Sequence, residues 1–154
     1  MQAAKRDDGA VLVEFALVLV PLLLLLIGML QFGLALNAKI DETHLTAEGA
    51  RYAAVNQNPG TGLTPATLQR YIRTRADTTD LQNGAVVCVE FPTNSATGTS
   101  GNIGDPVRVT ISYSYALIPF LGTKLLGSPG SLPVNSEATM RLEALPTNVS
   151  AGCA

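Results

Sequence analysis

From Val11 to Leu36 the chain is apolar except for Glu14 and Gln31, and this run constrains folding more than any other feature. As a helix rising about 1.5 Å per residue it spans about 39 Å, more than the ~30 Å hydrocarbon core of a bilayer. A membrane-spanning helix is therefore expected. Secretory signals carry a shorter apolar stretch and a small-residue cut site behind it; no clean exit site follows here, so the helix is expected to stay in the product. What remains of the 154 residues is enough for one modest domain.

Charge narrows the partners. A net charge of −2 without a basic cluster offers no footprint for nucleic acid, which needs lysines and arginines grouped on one face. Lys5 and Arg6 favour a cytoplasmic N-terminus, but Lys39 and Arg51 lie near the other end of the run, so the positive-inside count is nearly balanced. Cys88 and Cys153 are the only cysteines. They fit one disulfide in an oxidising compartment, which would agree with an N-terminus-in arrangement; two unpaired or buried thiols are the alternative.

No turn chemistry marks the end of the apolar run. "LALNAKIDETHLTAEGARYAAV" continues in good helix formers with only Gly49 against it, so one helix is expected from near Ala10 to about Val55. On its outer part Ile40, Ala47, Ala50 and Ala54 are available for one sheet-packing face. "NQNPGTGLTP", with Pro59, Gly60, Gly62 and Pro65, breaks the helix; Thr64 can cap a second, "PATLQRYIRTRA", with Leu68 and Ile72 on one face. The period then changes to two. "AVVCVEF", "PVRVTISYSY" and "SEATMRLE" read as three antiparallel strands, and the turn-rich "PTNSATGTSGNIGD" and "LGTKLLGSPGSLP" as exposed loops. The expected class is α+β: a spanning helix continuing into a small domain whose sheet it covers.

Within that layout Glu14 stands out. A carboxylate in hydrocarbon costs about 2.5–3.5 kcal/mol at the helix centre and less near an interface. Reaching up to the headgroups would reduce the cost without any function. The surrounding residues favour a function. Gly9 is followed by Ala10, Val11, Leu12, Val13, Glu14 and Phe15, so a cut after Gly9 makes Glu14 the fifth residue of a chain with a new amine at Ala10. This resembles the processing motif of type IV prepilins and pseudopilins: a short charged leader, a glycine, four mainly apolar residues, a glutamate and a long hydrophobic helix. The resemblance implies that prepilin peptidase, a membrane-embedded aspartyl enzyme, removes the leader, that the new amine is often methylated, and that the helices pack into a filament core. An ammonium and a carboxylate leaving water together offset their desolvation only when they meet in good geometry, so the Ala10 amine of one subunit and Glu14 of a neighbour would fix axial register.

Over nearly its whole length the chain looks most like the TadE-type minor pseudopilins of tight-adherence (Flp) pilus systems. The residues behind this are "GAVLVEFALVLVPLLLLLIGMLQFG", "GDPVRVTISYSY" and "SEATMRLE". Phe15 stands where tyrosine is common in that subgroup, and Asp7 and Asp8 dilute the basic leader. The implied division is a leader over 1–9, a transmembrane helix over 10–36, an outer extension of the same helix over 37–57, and a pilin-like extracytoplasmic α+β domain over 58–154. The implied partners are prepilin peptidase, other pilin and pseudopilin subunits with their assembly machinery, and membrane lipid. An outer domain much larger than the stub of a small major pilin suits a minor component.

Other residues carry less. Pro21 removes a backbone donor inside the membrane helix and is expected to kink it, while Gly28 and Gly33 do not make a GxxxG spacing. Nothing in the sequence ties His44, the only histidine, to a nucleophile, a carboxylate pair or a metal-ligand spacing. Asp77 and Asp80 have too few oxygen partners for calcium. Gly98, Gly101 and Gly104 lack the context of a phosphate cradle, and Asn148 heads a chance-level glycosylation triplet. No enzyme, cofactor or metal is expected. The alternative to the pilus subunit is a single-pass protein that keeps its leader and uses the outer domain to bind a ligand or envelope component; the Gly9-to-Glu14 spacing discriminates the two.

Overall fold

The structure, a computed structural model, describes residues 4–116 and 130–154. Residues 1–3 of the expected leader and residues 121–129 of the expected loop "LGTKLLGSPGSLP" lie outside the described residues. One helix, α1, runs from Ala4 to Ala54, about 76 Å at 1.5 Å per residue. Pro21 lies inside this helix, which continues on both sides of it. Its first part is long and apolar enough to cross a membrane, and Val11, Leu12, Leu17 and Leu30 are all exposed. Within a single chain that surface has nothing to pack against.

The outer part of α1 packs on a sheet. The strands are β1 (Val86–Glu90), β2 (Pro106–Ala116), β3 (Ser131–Arg141) and β4 (Gly152–Cys153), in the order β3-β2-β1-β4 with every neighbour antiparallel. The sheet thus has one strand more than the sequence pattern indicated. β4 is two residues long, too short for any period to show. β3 also begins before "SEATMRLE": Ser131 to Asn135, expected as the end of a loop and its junction, pair with Ala116 to Ser112. Pro133 is tolerated there because β3 lies at the sheet edge.

Alternation along β2 places Val107, Val109 and Ile111 beneath the helices and leaves Arg108 and Thr110 on the far side. α1 covers β2 and β3, and a short helix, α2 (Leu68–Thr74), covers β1. Leu68 and Ile72 of α2 are fully buried. The cap of α2 is Thr67, not Thr64: its side-chain oxygen accepts from the Arg70 N–H at 3.2 Å. Thr64 precedes Pro65 and remains in the connection. A further short helix, α3 (Thr79–Gly84), capped by Thr78, buries Leu81.

The sheet-facing stripe of α1 differs from the expected one. Ala50 and Ala54 are buried, but Ile40 and Ala47 face outward, Ile40 being 67% exposed. The buried stripe is Glu42, Leu45, Thr46, Gly49, Ala50, Ala53 and Ala54, the three- and four-residue steps of one helix face. Gly49 is required by closeness: a β-carbon there would meet Ile72 Cγ1 and Val109 Cγ1, both at 3.3 Å. The small residues that let α1 approach the sheet are therefore Gly49, Ala50 and Ala53.

Candidate functional site

The residues expected to carry function lie at the start of α1. Gly9, Ala10, Glu14 and Phe15 all fall within the continuous helix and are exposed, Phe15 by 63%. Ala10 and Glu14 are one turn apart and share a face, with β-carbons about 6 Å apart. The fold gives no reason for Gly9: the helix there needs no positive φ, and a β-carbon would have no neighbour within 4 Å. Glycine inside a helix costs about 1 kcal/mol relative to alanine. Gly28 and Gly33 are equally open. Nor does the fold engage Glu14, which is exposed.

A second carboxylate is placed quite differently. Glu42, on the sheet-facing stripe of α1, is fully buried, and neither carboxylate oxygen has a hydrogen-bond partner among the described residues. Around it the Lys39 ammonium donates to the Asn135 carbonyl and to Ser136 Oγ, the latter at 2.9 Å, and Thr43 Oγ1 lies 3.2 Å from the same Ser136 hydroxyl. Burial pushes the Glu42 carboxyl up to about 7; the Lys39 ammonium pulls it down, and Asp41 adds to the rise. Sequence reading passed over Glu42. The signal was its three-residue step to Leu45 and seven-residue step to Gly49, which put it on the stripe that packs.

The sign of the effect follows from linkage. An unfolded glutamate releases its proton near the ordinary 4.5, the folded one near 7, so the folded domain binds more protons between those values. The stabilising contribution of this group is therefore greatest below 4.5 and declines as pH rises through 7, by on the order of 3 kcal/mol. Urea denaturation of the full-length protein in detergent at pH 5 and pH 8 should show the decline, and Glu42→Gln should remove most of it. Equal slopes in both proteins would assign the pH dependence to other groups.

The remaining candidates have ordinary surroundings. His44 lies on the outward side of α1, lining an open groove with Glu48 and Arg51. The Asp77 N–H donates to Asp41 Oδ2 at 2.9 Å. Gly98, Gly101 and Gly104 have positive φ in the loop wrapped around Asp105, which accepts from Asn94, Thr99 and the Asn102 N–H. The Asn148 N–H donates to Asn56 Oδ1 at 2.8 Å, tying the chain's last segment to the end of α1. Cys88 and Cys153 occupy directly opposed positions on β1 and β4 and are bonded, with sulfurs 2.05 Å apart. Among the described residues no group of three His, Cys, Asp or Glu is placed to hold a metal ion.

The conspicuous surface is thus an uncovered apolar helix headed by Gly9 and Glu14, joined without a break to a disulfide-bonded sheet domain. Residues 9–51 match the family described as TadE-like protein. No curated protein and no solved structure matches the chain. The matched segment starts at Gly9 and ends at Arg51, covering the apolar run and most of the stripe that packs on the sheet. Over residues 9–51, then, the chain is similar to the TadE-like family.

Proposed function

We propose that this chain is a minor pseudopilin of a tight-adherence (Flp) pilus, cut after Gly9 by prepilin peptidase and built into an assembly through its apolar helix. Gly9 carries the reading. The subunit's own fold makes no use of a glycine there, nor of a carboxylate at Glu14, whereas a peptidase that must approach the backbone and an assembly that must engage the new amine would use both. The match beginning at Gly9 supports the same boundary.

In this arrangement residues 10–36 cross the inner membrane with the N-terminus inside, and the sheet domain stands outside. The Cys88–Cys153 bond supports that side, since disulfides persist in oxidising compartments. Cleavage exposes an ammonium at Ala10 one turn from Glu14. Pro21 and Phe15 then belong to the surface that meets neighbouring subunits, where an uncovered apolar helix finds its packing. The sheet domain is positioned by α1 rather than by a flexible linker, so packing of the helices dictates where the domain stands.

Intact mass and N-terminal sequence of the protein recovered from membranes, with and without active prepilin peptidase, test this directly. A chain beginning at Ala10 only when the peptidase is active is the expected result. A chain that retains its leader in both cases would sink the proposal and leave an unprocessed single-pass protein with an outer binding domain.

A further inference from the structure

We infer that the membrane-side ends of β2 and β3, at Tyr115 and Leu132, form a second lipid-contact surface at headgroup level beside the spanning helix. Two contacts set the axial alignment. Far from the membrane the Glu143 N–H donates to the Ala54 carbonyl at 2.8 Å, and nearer to it Lys39 Nζ donates to Ser136 Oγ at 2.9 Å. The chain climbs about 23 Å between Ser136 and Glu143, and the helix about 22 Å between Lys39 and Ala54, so β3 and α1 run nearly alongside each other. From Ser136 back to Ser131, β3 continues toward the membrane end of α1.

That descent brings the strand ends to the apolar run. Tyr115 lines a cavity of about 190 Å³ with Leu34 and Asn37, and Leu132 is its cross-strand partner on the same face. Leu36 is the last residue of the run, so this pair lies level with the final turn of the segment read as membrane-spanning, a reading on which the inference rests. Leu132 is 43% exposed on the helix-facing row of β3, where Val134 and Ser136 above it are buried.

An exposed leucine beside a half-buried tyrosine suits a headgroup interface, where an amphipathic ring has an apolar and a wet side. Lipid is the neighbour because Tyr115 shares its cavity with Leu34, whose exposed flank of α1 continues to Leu36. Two points of contact, one spanning and one peripheral, would hold the sheet domain at a fixed angle to the membrane.

The chain contains no tryptophan, so a single introduced one reports alone. Tyr115→Trp, Leu132→Trp, Phe32→Trp and Met140→Trp are made in the full-length protein, each with one chain per phosphatidylcholine nanodisc, and emission is compared with acyl-brominated phosphatidylcholine. Tyr115→Trp and Leu132→Trp should lose about half their emission on bromination and Phe32→Trp more, while Met140→Trp, at the far end of the sheet, should not change. Quenching of Phe32→Trp with both hairpin variants as insensitive as Met140→Trp overturns the inference alone. Blue-shifted but unquenched emission from the hairpin variants also overturns it, since protein would then cover the site. An unquenched Phe32→Trp overturns the membrane-spanning reading and this inference with it.

Discussion

Glu14→Ala should leave membrane insertion and cleavage after Gly9 intact while reducing incorporation into assembled subunits at least about tenfold. Insertion should if anything improve, because a carboxylate costs up to about 3 kcal/mol in hydrocarbon. The loss falls on assembly. Removing one member of a desolvated charge pair typically costs about 3–5 kcal/mol, and about 1.4 kcal/mol already corresponds to tenfold. Glu14→Gln separates charge from shape: if the Ala10 amine is the partner, glutamine should fail nearly as badly as alanine.

A competing partner exists within the subunit. Once the chain begins at Ala10, Glu14 sits one turn from the helix N-terminus, where the dipole favours an anion by about 0.3–1 kcal/mol. That local term is smaller than a buried intersubunit pair and would survive in an unassembled chain. Incorporation of tagged Glu14→Ala, measured against wild type by co-purification with other subunits, distinguishes the two. Normal incorporation would show that Glu14 merely reaches the headgroups.

Replacing both Cys88 and Cys153 by serine should destabilise the sheet domain by about 4 kcal/mol, the loop-closure value for their separation of 65 residues. The bond lies beside one closed pair of backbone hydrogen bonds: Val87 and Ala154 exchange N–H to carbonyl contacts at 2.9 and 3.0 Å. β4 has little else. Gln69 Nε2 donates to the Ser150 and Gly152 carbonyls at 2.9 and 3.2 Å, and Val149 is buried. Without the disulfide β4 should detach first, opening the edge of β1, so urea denaturation of the full-length protein in detergent should show a lower midpoint in the double variant. In unfolded wild type both thiols should resist maleimide until reduced. Ready labelling beforehand would show that the bond is absent from the protein as it is made.

The sequence by itself determined the elements whose signal is local. The run from Val11 to Leu36, apolar but for Glu14 and Gln31, read as a spanning helix because no single-chain core could bury it, and the alternation of Val107, Val109 and Ile111 against Arg108 and Thr110 fixed β2 and its faces. Gly9, Ala10 and Glu14 are proposed as a processing and assembly site from their spacing along the chain, which the sequence displays directly.

Tertiary structure decided what depends on distant partners. β4 is a strand only because Cys88 and Val87 lie opposite it, and two residues carry no period. The lower half of β3 pairs through Pro133 because it is an edge, a fact no residue in it records. Ile40 and Ala47 are as compatible with a packing face as Gly49 and Ala50, and only the arrival of Ile72 and Val109 selected the second pair. Glu42 is the plainest case: on an isolated helix it would be one more solvated carboxylate, and the sheet laid across it removes the water that keeps such a group ionised.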